Sequence, residues 1–169
     1  MRRLLAWGAG ALVLAAAACL VWARLFAGGP VGPMPGGALR GEPAAELPAD
    51  WSFANREPYL AVESRAGSLP YSRSVWFMAH AGRLHLLLPS LFGDGLKSRL
   101  ERDPRVRVRV DGRLYEQMAV RVEDPQVLGA ILAPLLRRQF AIEIEGPVRN
   151  AERPPAAQMW IYRLDDPAE

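Results

Sequence analysis

The sequence predicts a mainly β fold: a small antiparallel barrel with two or three helices, carried behind one N-terminal transmembrane helix. Three observations predict it. Short runs with apolar residues at every second position recur from Trp51 onward, as strands with one dry face require. Two-residue turn signals, Ala81-Gly82 and Asp111-Gly112, join four of those runs into two hairpins. Ahead of them, Leu4 to Ala23 reads LLAWGAGALVLAAAACLVWA, twenty residues without a charge. That length spans a bilayer as a helix.

Arg2 and Arg3 precede the apolar run and Arg24 follows it. The positive-inside rule then keeps the N-terminus in the cytoplasm and sends the rest of the chain out. Three fates compete for residues 1–27. A retained signal anchor is favoured, because the run exceeds the 7–15 residues of a signal-peptide core. Cleavage after Ala15-Ala16-Ala17 is the second. Acylation of Cys19 is the third, opposed by Ala16 three residues before it and by the apolar Leu20, Val21 and Trp22 after it. The expected location is the cytoplasmic membrane, crossed once, with the C-terminal domain in the periplasm.

Residues 28–50 begin GGPVGPMPGG and are dominated by Pro and Gly. Such a composition predicts no regular element, and reads as a spacer between membrane and domain. The folded domain is expected over residues 51–169.

Within it, Tyr59 to Arg65 is a first strand. Ser72 to His80 and Arg83 to Pro89 form a hairpin around Ala81-Gly82. This register puts Val75, Phe77 and Ala79 on a core face with Leu84, Leu86 and Leu88. Trp76, Met78 and His80 fall on the other face with Arg83, His85 and Leu87, an amphipathic surface suited to a partner, cofactor or second chain. Asp94 is an N-cap for a short helix, Gly95 to Arg102, with Leu96 and Leu100 inward and Asp103-Pro104 as the stop.

The run RVRVRVDGRLYEQMAVRVED, Arg105 to Asp124, makes the second hairpin. Val106, Val108 and Val110 share a face with Arg113, Tyr115 and Gln117, and Arg107 lies opposite Glu116. Val120 and Val122 fall on the arginine face, so a bulge between Tyr115 and Ala119 is expected to return them to the core. Asp124-Pro125 caps a helix with Leu128, Ile131, Leu132, Leu135 and Leu136 as its apolar stripe. Pro134 should kink or split that helix. Met159 to Leu164 closes the sheet.

Charge and residue counts exclude several function classes. The chain carries 21 basic and 18 acidic residues, a net charge of +3. The first 50 residues hold four basic and three acidic side chains, so the small excess is spread along the chain. That is no footprint for nucleic acid. One cysteine allows no internal disulfide, and His80 and His85 alone allow no multi-histidine metal centre. These histidines read as hairpin-surface residues, with haem ligation or acid–base work as the sharper alternative. No nucleophile elbow, P-loop or dinucleotide-binding glycine pattern is present.

Three segments resemble the FMN-binding split-barrel superfamily, which includes pyridoxamine 5'-phosphate oxidase-like and deazaflavin-dependent nitroreductase-like proteins. SRSVWFM is similar to that family's second strand. GLKSRLERDPRVRVRV is similar to its Lys-containing helix, stop and next strand. GRLYEQMAVRVEDP is similar to its returning strand and capped helix. The resemblance covers Trp51 to about Asp165. It implies a split barrel, a homodimer, and FMN or the deazaflavin F420 bound at the dimer interface. Carried over by position, Arg73 and Lys97 would hold the phosphate, with Ser98 beside them. Ser74, Val75 and Trp76 would lie along the ring, Trp76 by stacking. Arg offers a planar fork to phosphate oxygens and Lys a mobile point charge. Where the resemblance puts polar phosphate neighbours after the third strand, this chain reads LLLPSLFGDG. Two functions follow: a membrane-anchored flavin or deazaflavin oxidoreductase, or a non-catalytic envelope module binding a protein partner or small ligand.

Overall fold

The structure is a computed structural model that describes residues 14–19, 21–22, 28–90, 95–149 and 158–167. Strands run in the order β1 (Glu42–Pro43), β2 (Leu60–Ser64), β3 (Tyr71–His80), β4 (Arg83–Pro89), β5 (Arg105–Val110), β6 (Arg113–Val122) and β7 (Met159–Asp165). A 3-10 helix (Ser52–Arg56) precedes β2, α1 (Gly95–Arg102) precedes β5, and α2 (Pro125–Phe140) follows β6. The sheet order β6-β5-β2-β3-β4-β7 closes on itself through a β6–β7 pairing. The six strands form an antiparallel barrel. Closure removes the free edges that an open sheet would expose.

Both hairpins take the register that their turns dictate. Trp76 faces Leu87 and Phe77 faces Leu86 across Ala81-Gly82. Arg107 faces Glu116 and Val108 faces Tyr115 across Asp111-Gly112. Ala81 and Asp111 hold positive φ, as does the glycine after each, which a two-residue turn of this hand requires. The valines of β5 point inward and are fully buried or nearly so. Arg107 donates to Glu116 Oε1 at 2.8 Å through Nε and 2.6 Å through Nη2.

The barrel interior holds Leu60, Val62, Val75, Phe77, Leu84, Leu86, Val106, Val108, Tyr115, Tyr162 and Leu164. Leu96 and Leu100 of α1 join this core. The 3-10 helix is bound at the other end of β3, where the Asn55 amide donates to the Ala79 carbonyl and accepts from its N–H.

A second core lies outside the barrel. Leu128, Ile131, Leu132 and Leu135 of α2 pack on Met78, Leu87, Met159 and Ile161. The outer face of the first hairpin, expected to await a partner or cofactor, is thus largely covered by the chain's own helix. His85 is buried there at 3% exposure. Asp124 caps α2 by accepting from Gln126 N–H at 2.8 Å. The helix runs unbroken through Pro134, so it is not split.

The expected bulge is absent. β6 keeps one register against β5 from Arg113 to Met118, and pairs with β7 from Met118 to Val122. Ala119 faces inward and Val120 stays 42% exposed. Val122 on the same outer face packs against the α2 core. Barrel closure needs no bulge because β6 changes partner at Met118, from β5 on one edge to β7 on the other.

Residues 28–50 do not behave as a bare spacer. They contain β1, which pairs in parallel with Arg113 and Leu114, so the expectation of no regular element fails there. The arm crosses the outer faces of β2 and β5. Gly36 and Ser72 exchange two backbone hydrogen bonds, of 2.8 and 3.0 Å. Leu39 N–H donates to Glu63 Oε2 at 2.7 Å. Arg109 donates to the carbonyls of Gly28 and Arg40.

Leu14 to Cys19 and Val21-Trp22 are helical. The rest of the predicted span lies outside the described residues, as does the Asp94 cap. Among the described residues no helix is long and apolar enough to cross a membrane.

Candidate functional site

A cleft of about 330 Å³ opens where β3, β4 and α1 meet the N-terminal arm. β3 contributes Arg73, Ser74, Val75 and Trp76, and β4 contributes Leu87, Leu88 and Pro89. α1 contributes Leu96 and Lys97, the arm Gly32 and Pro33, and Tyr59 stands just before β2. Its size is within the usual range for small-molecule sites.

Five of the six residues singled out in the sequence line this cleft: Arg73, Ser74, Val75, Trp76 and Lys97. The sixth, Ser98, is exposed on α1 and is not part of the lining. The reason is helical geometry: one residue along an α-helix turns the side chain about 100° away. Sequence reasoning missed Gly32, Pro33, Tyr59, the β4 wall and Leu96 as site residues. The β4 wall was readable from the hairpin register, since Leu87 faces Trp76. The arm residues carried no local signal.

Local structure fixes each cation. Arg73 pairs with Val62 in the β2–β3 ladder, so its backbone position is rigid. Lys97 is held on α1 by the burial of Leu96 and Leu100 on either side of it. Arg99 anchors the same helix by donating to the Ala66 carbonyl and by lying 4.7 Å over the Tyr71 ring. Lys97 Nζ stands 2.9 Å from Glu101 Oε1, and 5.0 Å from the centre of the Trp160 ring. Arg121 covers the same indole at 4.7 Å. Trp160 therefore carries two cations, each in turn matched by a carboxylate, Glu101 for Lys97 and Glu123 for Arg121.

The lining combines apolar walls with a fork-shaped cation, a flexible ammonium and two hydroxyl-bearing residues, Ser74 and Tyr59. That donor set suits a flat apolar body bearing an anionic group, and so fits a phosphorylated flavin or deazaflavin. Among the described residues no cluster of His, Cys, Asp and Glu could hold a metal ion. The two histidines lie elsewhere, their rings 6.0 Å apart on the first hairpin. Burial pushes the His85 imidazole down to about 4, so it is neutral at physiological pH.

No family model and no curated protein matches the chain. Among solved structures, a conserved hypothetical protein from Mycobacterium tuberculosis is similar at TM-score 0.50 and 18% identity, covering 75% of this chain and 86% of that one. That likeness concerns the fold. A pyridoxamine 5'-phosphate oxidase described as putative, from Listeria innocua, follows at TM-score 0.48 and 16% identity, covering 66% and 85% of the two chains. An F420 reductase has TM-score 0.43 and 15% identity, with 70% and 94% covered.

Proposed function

We propose that this chain binds FMN or the deazaflavin F420 in the cleft, as a split-barrel protein of the oxidoreductase type. The observation that carries the reading is convergence. Arg73, Ser74, Val75, Trp76 and Lys97 were singled out from short sequence motifs more than twenty residues apart, and they line one cleft. Arg73 and Lys97 hold the cofactor phosphate in this reading, with the Ser74 hydroxyl as a further donor. Trp76 and the aliphatic wall of β4 take the ring. When bound, the cofactor supplies two-electron redox chemistry, while the chain orients it and keeps water from its face.

The membrane side of the proposal rests on the charge-free run from Leu4 to Ala23. In this reading it is a retained anchor, and the barrel faces the periplasm. A homodimer belongs to the same proposal through the family resemblance.

Absorbance of the purified protein tests the cofactor reading. A flavin or deazaflavin band, or uptake of either cofactor on titration, supports it. A colourless protein that takes up neither overturns it and leaves the non-catalytic envelope module. Protease access to the barrel in intact spheroplasts tests the location.

A further inference from the structure

The arm ties the mouth of the cleft to the N-terminal apolar run. Arg109 Nη1 donates to the Gly28 carbonyl oxygen at 2.8 Å. Gly36 is bound to Ser72 by two backbone hydrogen bonds. Between these pins, Val31 and Met34 pair with each other across Gly32-Pro33. Both turn residues line the cleft. The turn thus stays at the cleft mouth unless one of the pins breaks.

Upstream, only Arg24, Leu25, Phe26 and Ala27 separate Gly28 from the end of the apolar run at Ala23. The five residue steps from Ala23 to Gly28 reach at most about 18 Å when fully extended. If Leu4 to Ala23 spans the bilayer, Gly28 is kept within that distance of the membrane boundary. The rim it positions is apolar. Val31 is 47% exposed, Met34 45% and Tyr59 52%, and Tyr59 lines the cleft beside the arm turn. Exposed apolar side chains gathered at one rim mark an interaction surface. Trp22, at the end of the run, is a residue type that settles at the membrane interface.

We propose that Val31, Met34 and Tyr59 seat on the lipid bilayer, so that the cleft opens toward the membrane boundary rather than toward bulk water. The partner is the lipid surface itself, and the ligands given access are amphipathic ones that partition there. The inference rests on the anchored reading of residues 4–23.

Site-directed quenching in the full-length chain tests it. A Cys19→Ser background carries either Met34→Cys or Val120→Cys, labelled with an environment-sensitive fluorophore. The protein is inserted in phosphatidylcholine–phosphatidylglycerol vesicles. Val120 is also exposed, but stands on β6, three strands from β3 in either direction around the barrel. A doxyl quencher on the lipid should remove most of the Met34 signal and little of the Val120 signal, and aqueous iodide should do the reverse. Equal quenching of both sites by iodide in vesicle-bound protein overturns the proposal. Protection of Met34 from both quenchers, with disulfide-linked dimers of Met34→Cys, also overturns it and makes the rim an interface between copies. A chain that does not float with the vesicles overturns both the surface and the anchor. FMN and F420 titration of the same vesicles keeps the cofactor reading separate. Cofactor uptake with an iodide-accessible Met34 sinks only the membrane seating, whereas lipid quenching without uptake supports the seating and sinks the cofactor.

Discussion

Lys97 and Glu101 stand one helical turn apart on α1, with Nζ 2.9 Å from Oε1, while the same ammonium lines the cleft. A phosphate that recruits Lys97 must compete with this carboxylate. A half-exposed i,i+4 pair is worth about 0.3–0.5 kcal/mol. Glu101→Gln should therefore tighten binding of a phosphorylated cofactor by roughly twofold. Titration at low and high salt checks this, because the gain should shrink as salt screens the pair.

Burial of His85 makes stability depend on pH in a defined window. Its imidazole falls from 6.5 to about 4 in the fold, chiefly through loss of hydration, with His80 and Arg163 adding to the effect. Between these values the unfolded chain binds a proton that the native chain does not. Stability is thus complete above about pH 6.5 and is lost as pH falls toward 4, by up to about 3 kcal/mol. Asp103 and Asp165 are lowered from 3.8 by their arginine partners, so their contribution is lost at still lower pH. Urea unfolding at pH 7 and pH 4.5 should show the loss in the wild type and a smaller one in His85→Gln.

Gly36 should be intolerant of a side chain. A Cβ there would run into the carbonyl of Gly29 within the arm. Gly36→Ala should free the arm from Ser72, costing about 1–2 kcal/mol for two backbone hydrogen bonds. Limited proteolysis should then cut between residues 28 and 41 much faster, while the barrel keeps a cooperative unfolding transition.

Phe77 is 1% exposed at the centre of the barrel. Phe77→Ala should destabilise the domain by about 3–5 kcal/mol through lost burial and the cavity left behind. Val120→Ala, at an exposed position, should cost under about 0.5 kcal/mol. Parallel denaturant titrations compare the two directly, and a large loss at Val120 would revive the bulge that the register excludes.

Hairpins were the most legible part of the sequence, because a two-residue turn fixes every facing pair after it. Trp76 opposite Leu87 and Arg107 opposite Glu116 follow from Ala81-Gly82 and Asp111-Gly112 alone. What lies across a face is not local information. α2 covers Met78 and Leu87 through contacts some fifty residues apart in the chain, and the alternation of β3 could show only that the face was amphipathic. The arm was illegible for a related reason. It is held mainly by backbone groups meeting Ser72, Glu63 and Arg109, and Pro/Gly composition carries no trace of such partners. At the candidate site, Arg73 and Lys97 were named through motif resemblance and line the cleft, Ser98 stands outside its lining, and Gly32 and Pro33 entered only with the arm.

Phosphate recognition by Arg73 and Lys97 is the central claim, and FMN against riboflavin tests it most directly, since the two differ by the phosphate alone. Charge-assisted hydrogen bonds contribute about 1.5–3 kcal/mol each, so FMN should bind tenfold or more tightly than riboflavin. The preference should collapse in Arg73→Ala and weaken in Lys97→Ala, with riboflavin affinity little changed. Equal affinity for FMN and riboflavin, or an FMN preference that survives both substitutions, would contradict the account.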